Sequence, residues 1–318
     1  MKSTLNRLKL LVLLAFVHFS GSAQDNYLPL YTQYNADNPL LISSAYAGIG
    51  TYMKIRLNGA SQWVGVENAP ATQTLTTDFR VGDRSGVGVV IYNDQNGYTS
   101  QHGARFGFAH HLTLDPFFEQ YLSFGLSYQY DGFSVDTSEI GGMFLDTYRG
   151  DESSHNFEVS ALFRRGDFYM SLAVANLLPR ELSVDDEQQI KAPNQLTNYG
   201  VFTGYSFRKR NQSFVIEPSV FFQYFPSDQR SVTDLHLKIR WRKTKSYSYV
   251  GVSSRVLNEQ FGNPLFVAPM FGMKKGNLFL AYSYQINTNT IFNYNSGSHQ
   301  ITLGLDIKQK PSACQCTY

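Results

Sequence analysis

Residues 118–130 read FEQYLSFGLSYQY, and the two faces of this stretch decide the fold. Leu122, Phe124, Leu126, Tyr128 and Tyr130 alternate with Ser123, Gly125, Ser127 and Gln129, the two-residue period of a β-strand. A strand of a soluble sandwich sets its apolar side against a core and turns the other, usually charged, to water. Here the second face is small, polar or glycine, and aromatic residues gather toward the strand ends. That composition fits lipid on one side and a polar lumen on the other. Such a sheet must close into a ring, because an open edge leaves backbone groups unsatisfied in hydrocarbon.

The alternation recurs on both sides of this stretch. Met53, Ile55 and Leu57 oppose Lys54, Arg56 and Asn58, and segments 72–81 and 85–92 join through Gly82-Asp83-Arg84. Residues 93–97 (NDQNG) read as a turn, its Asn-Gly pair suited to type I′ geometry. In 101–111, Ala104, Phe106 and Phe108 oppose Arg105, Gly107 and Ala109. Segments 155–164 and 167–176 join through Arg165-Gly166, and 196–207, 212–222, 231–242, 247–255, 264–273, 277–286 and 298–307 follow. Two stretches, 134–154 and the polar 177–195, read as long loops. The count is about fourteen strands, an even number, with roughly 21 residues per strand and connection. The expected fold is all-β: a single antiparallel transmembrane β-barrel of about 14 strands, of the outer-membrane type.

Residues 1–23 read as an export signal: Lys2, Arg7 and Lys9 precede a short apolar core, and Gly21-Ser22-Ala23 offers a cleavage site before Gln24. No Cys follows that site, which argues against a lipoprotein. The barrel is expected over 24–318, with a lead-in over 24–50 and a tail over 309–318. Removing the leader leaves 24 basic against 25 acidic side chains, and this near-neutral balance gives no reason to expect nucleic acid. The chain holds 21 Tyr, 24 Phe and 2 Trp, yet beyond the leader no run approaches the ~20 apolar residues of a membrane helix. An exported chain of this kind is a soluble β-protein or an outer-membrane barrel, and the face composition favours the barrel. Cys314 and Cys316 are the only cysteines. Two ligands are too few for a structural zinc site, so a flexible tail is expected.

The run 33–72 (QYNADNPLLISSAYAGIGTYMKIRLNGASQWVGVENAPAT) leads into this pattern. Pro39 removes a donor and pushes Asn38 out of the helical region. Ala45-Tyr46-Ala47-Gly48 supplies small residues for close passage, with Gly48 free to take positive φ. Gln33-Tyr34, Asn38-Pro39, Ala45-Tyr46-Ala47-Gly48, Arg56, Gln62-Trp63-Val64-Gly65 and Ala69-Pro70-x-Thr72 resemble the PorP/SprF family of Bacteroidota outer-membrane proteins. That family is associated with type IX secretion and gliding motility. The pair of runs 281–286 (AYSYQI) and 294–299 (YNSGSH) is similar to the family's closing hairpin. Ser43-Ser44 stands where the family usually has a second Asn-Pro, and Gln300 replaces the commoner Glu. The resemblance implies an outer-membrane component without a cofactor. Its implied partners are membrane lipid and either secretion components (a periplasmic ring or lipoproteins) or a secreted surface adhesin.

Asn38, Pro39, Tyr46, Gly48, Gln62, Trp63, Gly65, Ala69 and Pro70 form the candidate partner-binding set. Trp63, between Gln62 and Gly65 where a strand meets a turn, marks a docking surface for a periplasmic or secreted partner. The competing reading is an interfacial aromatic or a buried corner. His236, Lys238, Arg240 and Arg242 share one face of 231–242 and, with Lys54 and Arg56, make a candidate basic stripe in the lumen. The favoured alternative is a salt-bridge network with acids of facing strands. His102 and His110 sit roughly 27 Å apart along a strand, and His111 points to the other face, so no metal site is expected. Asp185-Asp186-Glu187 read as a solvated acidic loop rather than a Ca²⁺ site. No Gly-x-Ser-x-Gly elbow occurs, and Ser298 and His299 point to opposite faces, so catalysis is not expected. The rival function is a diffusion porin or small-solute transporter whose uptake depends on lumen residues such as Arg240.

Overall fold

The computed structural model describes residues 38–135, 152–178, 196–208, 213–227, 229–288 and 293–317. The expected leader, the lead-in before residue 38 and the acidic run 185–187 lie outside them. The strands are β1 (Tyr52–Ser61), β2 (Ala71–Arg80), β3 (Ser85–Asn96), β4 (Thr99–Asp115) and β5 (Gln120–Val135). They continue as β6 (Glu152–Arg165), β7 (Phe168–Ala175), β8 (Asn198–Tyr205), β9 (Phe207–Arg208) and β10 (Phe214–Phe225). The last are β11 (Arg230–Lys243), β12 (Ser246–Leu257), β13 (Phe266–Lys275), β14 (Leu278–Asn287) and β15 (Ser298–Lys308). The two-residue β9 continues β8 past a break at Ser206, and both pair with β10. β1 pairs with β15 as well as β2, and β10 with β11, so the antiparallel sheet closes as a 14-strand barrel.

The faces fall as the periodicity predicts. On β5, Phe124, Leu126, Tyr128 and Tyr130 are exposed while Ser123 and Ser127 are buried. On β11, Leu235, Leu237 and Trp241 are exposed while His236 and Lys238 are buried. On β1, Leu57 is 50% exposed and Arg56 only 5%. Apolar groups outside and ionic groups inside invert a soluble protein, and lipid is the surrounding that makes this arrangement stable. The expected turn at 93–97 is shorter: β3 runs on to Asn96, and Gly97, at φ 60°, turns with Tyr98.

Turns at one end are brief, covering 81–84, 116–119, 166–167, 244–245 and 276–277. The opposite end carries the longer segments 62–70, 258–265 and 288–297. Short turns mark the periplasmic side of such barrels and long loops the cell exterior.

Both chain ends fold back on the barrel. Residues 38–48 enter the lumen as two 3₁₀ turns, Pro39–Leu41 and Ser44–Tyr46. Leu40, Leu41 and Ala47 pack with Val90 and Ala109 of the inner wall, and Ile42 packs across the lumen with Phe202 and Phe221. The wall is thinned to admit this segment: a Cβ at Gly107 would stand 3.0 Å from Ser44 Cβ, and one at Gly86 2.6 Å from Gly48 Cα. The expectation of a flexible C-terminal tail is corrected. Cys314 and Cys316 form a disulfide, both are buried, and they cluster with Tyr121. The tail is held because backbone donors and acceptors along it find partners. Gly50 N donates to Thr317 O at 2.7 Å, Arg80 N donates to Gln309 Oε1 at 2.9 Å, and the Arg164 guanidinium donates to Cys316 O.

Candidate functional site

Among the described residues, a densely bonded feature inside the barrel is the seat of the N-terminal segment. Arg105 of β4 and Glu158 of β6 reach inward past β5, where small Ser127 lies between Gly107 and Glu158 in one row of the sheet. Arg105 Nη1 donates to Glu158 Oε2 at 3.0 Å, and its Nη2 donates to the Leu40 and Leu41 carbonyls at 2.7 and 3.0 Å. Glu158 Oε1 accepts from Ser44 N at 2.9 Å and Ser44 Oγ at 3.0 Å. Ser160 Oγ accepts from Ala45 N at 3.1 Å. One ion pair therefore holds both 3₁₀ turns, the cation taking the carbonyls that end one and the carboxylate the N–H that begins the next. Each bond to a buried charge contributes about 1.5–3 kcal/mol, against the cost of desolvating the pair.

Secondary clamps flank this seat. Asn38 Nδ2 donates to Thr76 Oγ1 at 2.7 Å, Gly48 N donates to Asp78 Oδ1 at 3.2 Å, and the His111 ring nitrogens bridge Ala47 O and Ser123 Oγ. Tyr46 crosses toward β8, its ring 6.4 Å from that of Phe202. Burial, with Tyr169 beside it, holds the Tyr46 phenol well above its ordinary pKa.

The candidate partner-binding set divides between two places. Asn38, Tyr46 and Gly48, with half-buried Pro39, lie inside the barrel, where they form the seated segment rather than an outer surface. This corrects their reading as docking residues: small and turn-forming types recur there because the wall approaches closely. Gln62, Trp63, Gly65, Ala69 and Pro70 lie at the long-loop mouth, so a periplasmic contact through Trp63 does not follow from the geometry. Half-buried Trp63 takes φ 44°, a left-handed conformation uncommon for a bulky residue. Its loop is clipped to the one before β15: Trp63 N donates to Ser298 Oγ at 3.3 Å, Val64 N to Gly297 O at 2.9 Å, and Ser296 N to Val64 O at 2.8 Å. A cleft of about 320 Å³ opens there, lined by Gln62, Val64, Gly65, Asn68 and Ala69 among others.

The candidate basic stripe is interleaved with acids. Lys54 lies 3.5 Å from Asp78, Arg56 2.6 Å from Asp306, and Lys274 also pairs with Asp306. Arg240 lies 2.9 Å from Glu217 and Lys238 4.0 Å from it. Rings share these cations, with Arg56 over Phe279, Lys238 over Tyr249 and Arg240 over Tyr247. His236 is buried on the same face. Arg242, at the periplasmic rim, is exposed and outside these pairs. The geometry is that of cross-strand ion pairing, not of a continuous basic surface.

His102 and His110 are exposed and His111 is fully buried, so the three do not converge. His299 points outward, between the rings of Tyr282 and Tyr284, and Ser298 inward. Sequence reasoning singled out neither Arg105 nor Glu158. The available signal was a charged residue on the small-residue face of each of two strands, a face from which lipid excludes no charge.

No curated protein sequence matches the chain. Among solved structures, the CymD monoaromatic hydrocarbon channel is similar, with a TM-score of 0.53 at 11% identity over 86% of this chain and 93% of that one. A TodX monoaromatic hydrocarbon channel mutant (ΔS2S3) gives a TM-score of 0.50 at 9% identity, over 85% of this chain and 93% of that one. At such identities these likenesses show the barrel fold alone. The family described as type IX secretion system membrane protein PorP/SprF matches residues 23–305. With the closed lipid-facing barrel and the resemblance at both ends of the sequence, this match makes the chain a member of the PorP/SprF family of type IX secretion membrane proteins, located in the outer membrane.

Proposed function

We propose that the protein is a non-enzymatic anchor of type IX secretion. It holds secretion machinery or a secreted surface protein at the outer membrane, and serves gliding motility where that cargo is a motility adhesin. The observation that carries this reading is the N-terminal segment seated across the lumen on Arg105 and Glu158. A barrel whose bore holds its own chain is suited to display and contact rather than free diffusion. The exterior contact is assigned to the Trp63 loop, where Gln62, Gly65 and Ala69 line the cleft and Trp63 and Pro70 belong to the same loop. A secreted protein is the partner that reaches this side.

The test is affinity capture of tagged full-length protein from outer membranes in mild detergent, with conductance of the purified barrel in a planar bilayer. Recovery of secretion components or one large surface protein, reduced by Trp63→Ala in an intact barrel, supports the anchor. A barrel recovered alone that conducts steadily, with solute uptake sensitive to Arg240→Ala, refutes it in favour of a porin.

A further inference from the structure

The periplasmic rim is divided between two halves. The C-terminal tail covers the arc from β1 to β6: Ser312 Oγ donates to Asp83 O, the Cys314–Cys316 disulfide packs against Tyr121, and the Arg164 guanidinium donates to Cys316 O. Charges on that arc are mixed, with Asp83, Asp115 and Glu119 beside Arg84 and Arg165. The remaining arc includes the neighbouring ends of β11, β12 and β13 with the turns after β11 and β13, and the tail makes no described bond to it. It carries Arg242, Lys243, Lys245 and Lys275, all exposed. Two of these turns are joined by Gly276 N donating to Lys245 O at 3.2 Å, and Arg242 N donates to Ser213 O at 2.7 Å, so the bases sit on connected backbone.

Among the described residues none of these four bases has an ion-pair partner. Nearby acids are committed elsewhere: Asp167 to Arg208 at 2.8 Å, Glu217 to Arg240, and Asp306 to Arg56 and Lys274. We infer that this uncovered arc is a docking surface for an acidic segment of a periplasmic protein. Four like charges held on strand ends and one turn repel one another, and an acidic partner removes that repulsion while setting orientation and raising the association rate. Anionic phospholipid is the other polyanion at this level. Headgroups surround a barrel on all sides, whereas the bases without an acid in the same or adjoining turn occupy one arc; Lys243 and Lys275 end lipid-facing rows, but Arg242 lies in the lumen-facing row of β11 and Lys245 in a turn. The inference rests on the anchoring function and names the chemistry of its periplasmic contact.

The test reverses Arg242→Glu, Lys243→Glu, Lys245→Glu and Lys275→Glu together in the full chain. Arg84→Glu with Arg165→Glu on the covered arc is the matched control, and the heat-dependent gel shift of the barrel checks folding. Affinity capture from outer membranes is expected to lose its periplasmic component about tenfold on the first reversal and to be unchanged by the second. In zwitterionic nanodiscs a labelled poly-glutamate peptide should bind the unaltered protein, weakening as salt rises, and bind the reversed variant about tenfold less. Equal capture by both variants overturns the arc and leaves the anchor standing. Capture of nothing by the unaltered protein overturns both. A reversal whose sole effect is on binding anionic phosphatidylglycerol assigns the arc to lipid and overturns the protein partner.

Discussion

Replacing Glu158 with Ala should unseat the N-terminal segment. The side chain is 4% exposed, and its loss removes the acceptor of Ser44 N and Oγ and the counter-ion of Arg105, whose own side chain is 14% exposed. Breaking a buried pair by deleting one partner costs about 3–5 kcal/mol. Arg105 keeps the Leu40 and Leu41 carbonyls, which offsets part of that, so we take about 3 kcal/mol for the seated state. At 1.4 kcal/mol per decade this multiplies the unseated population about a hundredfold. The assay is single-channel recording: the unaltered barrel should be closed almost always, and Glu158→Ala should open about a hundred times more often. Arg105→Met with Glu158→Leu leaves neither charge stranded and should fall between the two. Identical traces from all three proteins, with folding verified by gel shift, would refute the assignment of the pair as the seat.

Gly86→Val should displace the same segment without touching an ion pair, since its Cβ would meet the backbone of Ala47 and Gly48; about 1–3 kcal/mol of overpacking should appear as increased channel opening. Asp306→Ala strands Arg56 and Lys274 together and should lower barrel stability by about 3–5 kcal/mol, read as a lower gel-shift temperature. Adding Arg56→Met should recover part of that loss, and no recovery would show that Asp306 acts otherwise. Deleting residues 309–318 removes the partners of Gly50, Arg80 and Arg164 and should cost about 1–3 kcal/mol by the same measurement, whereas an unchanged temperature would mean the tail does not brace the rim.

The barrel was legible because strand faces are a local property. Phe124 and Leu126 beside Ser123 and Ser127, or Leu235 and Leu237 beside His236 and Lys238, declare lipid and lumen from order alone, and the observed exposures follow that order. Trp63 was legible as an irregular position, and its positive φ agrees. The role of Asn38, Tyr46 and Gly48 was not legible. Small and turn-forming residues look the same whether they pass a partner or the chain's own wall. The cysteine tail was misread for a related reason: nothing near Cys314 and Cys316 in sequence announces Tyr121, His111 or Arg164.

The residue order determined the period-two faces, the approximate strand number and the kinship with PorP/SprF barrels, because each depends on neighbours in the chain. Only closure of the sheet decided which inward groups meet. Arg105 and Glu158 are 53 positions apart and become a pair when β5 lies between their strands. Asp306 reaches Arg56 because β15 closes against β1. Charges facing inward in a barrel must find partners across the ring, and partner choice there is set by register and by what fills the bore, neither of which a local pattern encodes.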